Sequence, residues 1–316
     1  MQVSFVIPLF NNLTLTRACV ASLQATLPAG LAHEIILVDD GSTDGTRAWL
    51  ATLTAPFRVV LNERNLGYAA ANNRAVALAT GKYLALLNND LVLLPRWFDR
   101  LLRAHRSLGD RAGLVGNVQR DARTGAIDHT GIIINRAGKP EHDRVWPPSW
   151  SRLFSSVRRV PAVTGACVLL ERALWQQLGG FDEAYINGGE DIDLCFKAQA
   201  AGRVNAVALH SVVRHHISSS PGRKRHDEKN SYLLALRWRR EFVASADLAF
   251  RSWCRDYHEQ NLLDPREGDQ RLARDAWFYA HGLRRTPPPE AVADLEAALD
   301  REFARWAELF GPVTRS

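Results

Sequence analysis

Residues 34–46 read Glu34-Ile35-Ile36-Leu37-Val38-Asp39-Asp40-Gly41-Ser42-Thr43-Asp44-Gly45-Thr46. Four apolar residues run without a break into two carboxylates, a glycine that permits a tight turn, and residues able to cap a helix. A strand with one wet face alternates polar and apolar positions, whereas an unbroken apolar strand is covered on both faces. The stretch is therefore a buried strand, a turn and a helix start, the unit from which a parallel sheet with helices on both sides is built. Ligands of such sheets bind at the carboxyl ends of the strands. Asp39 and Asp40 stand at that edge.

The unit recurs on either side. Val3–Pro8, Phe57–Leu61 and Lys82–Leu87 read as further strands, with Leu13–Leu27, Asp44–Leu53 and Gly67–Ala79 as helices. The edge rule then gathers Pro8–Asn11, Asp39–Ser42 and Asn88–Asp90. From Gly113 to about Leu170 the β runs shorten, with breaks at Gly125, Gly131 and Gly138 and a Trp146-Pro147-Pro148-Ser149-Trp150 loop, so a sheet extension and a flap are expected. Arg172–Leu178 and Asp191–Ala201 read as helices and Val204–Leu209 as a last strand. Past Ser218-Ser219-Ser220-Pro221-Gly222 the chain turns to Arg, Trp, Ala and Glu at helical spacing. The expectation is an α/β domain over 1–222 and a helical region over 223–316.

With 316 residues and 46% hydrophobic content the chain can bury a full core. No apolar run approaches the ~18 residues that span a bilayer, and Met1-Gln2-Val3-Ser4-Phe5 enters a strand with no basic leader. A cytoplasmic protein is expected. Cys19, Cys167, Cys195 and Cys254 are too scattered for zinc or redox pairs and read as buried thiols. Forty Lys and Arg against 34 Asp and Glu leave a charge of +6. That suits an anionic small ligand or membrane face; with no basic stripe carrying interleaved aromatics, no nucleic-acid partner is expected.

Several motifs carry chemistry beside a plainer reading. A capped turn explains Gly41 and one cap residue but not two adjacent carboxylates, which can accept hydrogen bonds from a base N–H or ribose hydroxyls. Arg64-Asn65-Leu66-Gly67-Tyr68-Ala69-Ala70-Ala71-Asn72-Asn73 opens a helix with small residues. A helix N-terminus suits phosphate, although close packing on a sheet also uses alanine; one or two of Arg64, Asn72 and Asn73 are expected to reach a ligand. Asn88-Asn89-Asp90 closes an apolar strand. Magnesium or manganese commonly takes only one or two protein oxygens, so Asp90 suffices, and the plainer reading is a polar turn between strand and helix. Gly188-Gly189-Glu190-Asp191-Ile192-Asp193 opens a helix with three acids. One of them can take a proton, while a helix dipole also favours acids there.

In order along the chain, these motifs, together with Val3-Ser4-Phe5-Val6-Ile7-Pro8-Leu9-Phe10-Asn11-Asn12 and Gly179-Gly180-Phe181-Asp182-Glu183, resemble those of family 2 glycosyltransferases, most closely the bacterial rhamnosyltransferase-type branch. The resemblance runs from residue 3 to about residue 220. It implies an α/β GT-A fold, a Rossmann-like nucleotide-binding mixed sheet flanked by helices, with a helical C-terminal extension. It also implies a nucleotide-diphosphate sugar donor carrying UDP or dTDP, a divalent metal (Mg2+ or Mn2+), and inversion at the anomeric carbon. By matching position, Pro8, Phe10 and Asp40 hold base and ribose with Asp39 alongside. Asp90 ligates the metal, Asn88 replacing the first acid of the family's Asp-X-Asp motif, and Asp191 is the base. His215, ahead of His216, fits a histidine that completes the metal site. Asn11, Asn65, Gly67, Asn89 and Glu190 complete the expected substrate contacts, with Arg64, Asn72, Asn88 and Trp146. Trp146 and Trp150 either stack on a sugar or pin the flap.

The acceptor implied is a glycan or lipid-linked hydroxyl in bacterial-type polysaccharide or glycoconjugate synthesis, met at the inner membrane. There Arg223-Lys224-Arg225 and the basic helix pattern from Tyr232 to Arg240 either touch lipid or pack inward. A sugar-nucleotide pyrophosphorylase would need a Gly-rich basic loop after the first strand, which Pro8-Leu9-Phe10-Asn11-Asn12 is not. The other reading is a catalytically silent nucleotide-sugar or glycan-binding module, and the retained Asp90 and Asp191 argue against it.

Overall fold

The computed structural model describes residues 2–146, 155–216, 226–264 and 269–311. Strands β1 (Gln2–Leu9), β2 (Ala32–Asp39), β3 (Phe57–Leu61) and β4 (Tyr83–Leu87) alternate with helices α1 (Leu13–Thr26), α2 (Thr46–Leu50) and α3 (Tyr68–Val76). They pair in parallel, with Leu9 of β1 opposite Asp39 of β2 and Val6 opposite Leu86 of β4. Beyond β4 the sheet is mixed. Strand β11 (Cys167–Glu171) runs antiparallel to β4 and to β6 (Ala112–Asp121), and β12 (Val204–His215) runs parallel to β6. Two reversals restore the direction. The ends of β6 and β12 therefore lie at the same edge as the ends of β1, β2 and β4.

The register explains the unbroken apolar runs. Val6, Ile36, Val38, Leu84 and Leu86 join one core layer, closed by Ala69, Ala71 and Ala75 of α3 and by Leu194, Cys195 and Ala198 of α6 (Glu190–Ala200), the helix after α5 (Arg172–Leu178). Phe5, Ile7, Ile35, Leu37, Ala85 and Leu87 join the other, against Cys19, Val20 and Leu23 of α1 and Trp97, Phe98 and Leu101 of α4 (Trp97–Ser107). Each Leu, Ile or Val so buried contributes roughly 1.5–3 kcal/mol relative to exposure. Trp97 is fully buried, and its indole N–H donates to Thr26 Oγ1 at 3.1 Å, so no polar atom of that ring is left unsatisfied. All four cysteines are buried free thiols.

Two elements depart from the sequence reading. Leu91–Leu93, which follows the expected Asn88–Asp90 turn and is not among the expected strands, is a short strand, β5. The last strand does not stop at Leu209 but runs on to His215, where Val213, Arg214 and His215 pair antiparallel with Leu93, Val92 and Leu91. Neither strand end would be satisfied alone, because an edge strand of three residues needs a partner for its backbone groups. The span read as a sheet extension is also more central than expected. β6 lies between β12 and β11, with β10 (Val157–Arg159) outside β12 and β7 (Ile127–His129) paired to β6.

The chain forms two compact units, one of residues 1–132 and 142–227, the other of 133–141 and 228–316. The second holds α7 (Asp227–Ala244) from its second residue, α8 (Asp247–Leu263), α9 (Gln270–Ala280) and α10 (Pro289–Phe310). The hairpin of β8 (Ile132–Ile134) and β9 (Pro140–His142) sends its tip into that unit. A Cβ on Gly138 would collide with Leu299, and Lys139 pairs with Glu302 at 3.0 Å. On α7, Tyr232, Leu234, Ala235 and Phe242 are buried and Arg239 pairs with Asp300 at 2.7 Å. Its apolar positions thus serve packing.

Candidate active site

At the end of β2 the two carboxylates have separate partners. Asp39 is fully buried and accepts Arg47 Nε at 2.7 Å and the Ser42 N–H at 3.2 Å. Asp40 accepts Asn62 Nδ2 at 2.7 Å and Leu66 N–H at 2.9 Å on one oxygen, and Gly67 N–H at 2.9 Å on the other. Asn62 in turn accepts a hydrogen bond from Arg74. The repulsion between neighbouring acids is offset by an arginine on each side, one direct and one through Asn62. Asp40 consequently holds the 62–67 turn. Gly41 has φ +85°, and a Cβ there would lie 2.8 Å from the backbone of Arg64 and Asn65, so only glycine lets that turn pass. Asn11 braces the same corner: its N–H donates to Ser42 Oγ and its side chain accepts the Thr43 N–H, both at 2.8 Å. Phe10 is exposed at the mouth with Arg64 and Asn65, and Pro8 is half-buried below.

At the start of α3 the first N–H groups already have partners. Gly67 N–H serves Asp40, and Tyr68 N–H donates to Asn187 Oδ1 at 3.2 Å. Asn72 is fully buried and donates to Tyr68 O, while Asn73 donates to Phe181 O at 2.9 Å. Of the three residues proposed to reach a ligand from this motif, Arg64 is the one left at the surface.

The pairing of β5 with β12 brings Asp90 and His215 together. His215 Nε2 lies 3.1 Å from Asp90 Oδ1, both side chains being almost wholly buried, while the His216 backbone N–H donates to Asp90 O at 3.1 Å. His215 Nδ1 and Asn88 Oδ1 meet no hydrogen-bond partner among the described residues, and Asn89 Nδ2 donates to Thr16 Oγ1 at 2.8 Å. Among those residues no group of three or more His, Cys, Asp or Glu is placed to hold a metal. One carboxylate oxygen and one imidazole nitrogen side by side fit a cation that takes its remaining ligands from phosphate and water, as Mg2+ and Mn2+ do.

Helix α6 opens with the acid cluster. Glu190 is buried and accepts Gly188 N–H at 2.8 Å; Asp193 is fully buried and pairs with Lys197 at 2.8 Å. Asp191 is half-buried, with Oδ2 accepting Gly165 N–H at 2.7 Å and Oδ1 its neighbour Ile192 N–H at 2.8 Å. Each acid has donors of its own, so the three coexist in one turn. Trp146 packs against the core and carries the Arg120 guanidinium 5.3 Å from its ring centre. Trp150 and Arg223–Arg225 lie outside the described residues.

Four contributors escaped the sequence reading: Asn62, Tyr68, Gly165 and Asn187. Asn187, at φ 53°, sits just ahead of the acid helix. Tyr68 donates its hydroxyl to Gly165 O at 2.9 Å. Burial pushes its phenol well above the ordinary value, and the charges of Glu190 and Asp191 push it further.

Residues 4–159 match the family described as Glycosyl transferase family 2. Similar curated proteins include the uncharacterized protein y4gI of Sinorhizobium fredii (strain NBRC 101917 / NGR234), 32% identical over 249 residues, and the O-antigen biosynthesis protein RfbC of Myxococcus xanthus, 32% identical over 235. These matches cover 76% and 69% of this chain but only 26% and 18% of the two relatives, so the chain spans no more than about a quarter of their length. The N-acetylglucosaminyl-diphospho-decaprenol L-rhamnosyltransferase of Mycobacterium tuberculosis is 30% identical over 211 residues, 60% of this chain and 68% of that protein. Among solved structures, GalNAc-T7 with UDP, GalNAc and Mn2+ superposes with a TM-score of 0.62 at 19% identity, covering 98% of this chain and 56% of that one. The mannosyltransferase PcManGT from Pyrobaculum calidifontis, with GDP-Man and Mn2+, gives 0.55 at 20% identity, covering 95% and 86%. At such identities the likeness speaks to fold.

Proposed function

This chain belongs to glycosyl transferase family 2, with likeness to its bacterial rhamnosyltransferases, and from that premise we propose that it transfers a hexosyl or deoxyhexosyl group, with inversion, from a UDP- or dTDP-sugar to a glycan or lipid-linked acceptor. The observation that carries the reading is the Asp90–His215 contact of 3.1 Å at the ligand edge of the sheet, with Asp191 opening a helix of the same unit. A bound Mg2+ or Mn2+ would be held by Asp90 and His215 and would supply Lewis-acid neutralisation of the diphosphate as it leaves. Opposite, Asp191 takes the acceptor hydroxyl's proton while that oxygen attacks the anomeric carbon, so one displacement inverts the centre. Phe10 and Pro8 offer the base an apolar face, and the turn that Asp40 holds offers backbone groups to the ribose. Product assembly in a bacterial-type polysaccharide, and a cytoplasmic site at the inner membrane, complete the proposal; no helix among the described residues is long and apolar enough to cross a membrane.

A thermal-shift screen of UDP-, dTDP- and GDP-sugars with Mg2+ or Mn2+ tests it. A ligand at a hundred times its dissociation constant stabilises by ~2.7 kcal/mol. The expected result is a shift with a UDP- or dTDP-sugar that disappears in EDTA; equal shifts with and without chelator would overturn the metal-assisted reading.

A further inference from the structure

We propose that Tyr68 is a positioning residue for the base, setting Asp191 through the backbone of Gly165; this rests on the assignment of Asp191 given above. Tyr68 is the first residue of α3 and is held at two points. Its N–H donates to Asn187 Oδ1 at 3.2 Å, in the loop that leads into the acid helix, and its hydroxyl donates to Gly165 O at 2.9 Å. Gly165 then donates its own N–H to Asp191 Oδ2 at 2.7 Å. Glycine has the widest backbone freedom of any residue, so a carboxylate held by a glycine N–H is no better placed than that glycine. The tyrosine hydroxyl grips Gly165 on the side of its Cα opposite the N–H that holds Asp191.

The fit leaves no slack. A Cβ built on Gly165 would stand 3.1 Å from Tyr68 Oη and 3.3 Å from Asp191 Cβ, so both side chains close on Gly165. Packing alone does not account for a tyrosine here. The ring lies 5.8 Å from that of Phe181 and its edge also approaches Gly165, contacts that phenylalanine would make equally well, whereas the hydrogen bond to Gly165 O needs the hydroxyl. Because burial, Glu190 and Asp191 all oppose ionisation, the phenol remains a donor at working pH. The preceding N–H groups, of Leu66 and Gly67, are held by Asp40. Tyr68 is therefore the joint between the turn at the donor end of β2 and the base.

A double-mutant cycle on the full chain decides the matter, with Tyr68→Phe, Asp191→Asn and the pair compared with wild type for kcat, donor KM, nucleoside-diphosphate affinity and melting temperature. Tyr68→Phe should lower kcat by roughly 10–100-fold, as small misplacements of a reacting group do, with donor KM and UDP affinity unchanged and no further loss in the Asp191→Asn background. A loss of the same factor in that background overturns the proposal alone, as does a raised KM at unchanged kcat. A near wild-type rate for Asp191→Asn overturns the base assignment and this proposal with it. Should Tyr68→Phe not fold, Gly165→Ala, which presses on both neighbours, enters the same cycle with the same outcomes.

Discussion

The carboxylate of Asp40 meets three donors of its own chain, from Asn62, Leu66 and Gly67. Removing it leaves the buried Asn62 amide unpaired, at about 1–3 kcal/mol, and frees the part-buried N–H groups of Leu66 and Gly67. Asp40→Ala should therefore lower the melting temperature and the nucleoside-diphosphate affinity together, because the turn and the donor site are one piece. Calorimetry with unchanged stability but lost affinity would instead assign Asp40 to the ligand directly. His215 makes a sharper case. His215→Ala should reduce Mn2+-dependent UDP affinity to the level that wild type shows in EDTA, while His216→Ala, which keeps the backbone bond to Asp90, should leave it intact; equal losses would contradict the placement. Asp90, Asp191 and His215 could be proposed from the sequence because each sits in a local motif next to a strand or helix end. Gly165 could not, because its meaning comes from Tyr68, which is 97 residues away in the chain, and from a backbone N–H that no residue name reveals.

Among the elements, the first three strands are tied by one side chain. Glu34 of β2 accepts Ser4 Oγ of β1 at 2.6 Å, Arg58 Nη1 of β3 at 2.9 Å, and the N–H and hydroxyl of Thr80, ahead of β4, at 2.7 Å each. Burial alone would raise this carboxyl, but the bonds from Ser4, Thr80 and Arg58 outweigh it and hold it down to about 2. A folded value below the unfolded 4.5 means that the charged form stabilises the fold above pH 4.5 and that this is lost as pH falls toward 2. Glu34→Gln should thus cost on the order of 2 kcal/mol at pH 7, with the gap closing between pH 4.5 and 2; urea midpoints at pH 7 and 3 measure it, and a gap that widens in acid would refute the assignment. The strands themselves were readable because burial on both faces produces unbroken apolar runs. β5 was not: three apolar residues carry no period, and their partner, His215 to Val213, lies far along the chain.

For the whole molecule, the sequence placed a division near residue 222, where composition changes, but composition is silent on the hairpin at 133–141 that groups with 228–316. Only tertiary packing of Gly138 under Leu299 and of Lys139 with Glu302 assigns it. A chain ending at residue 227 should therefore expose this hairpin and self-associate, whereas the same truncation with 133–141 replaced by a short turn should run as a single species in size-exclusion chromatography; equal behaviour of both would contradict the grouping. Asp191→Asn keeps the size of the side chain and removes the proposed base, and sugar transfer by this variant, read alongside its nucleoside-diphosphate affinity, separates chemistry from binding. Transfer should fall roughly 10²–10⁴-fold with affinity unchanged; transfer at the wild-type rate would rule out Asp191 as the base.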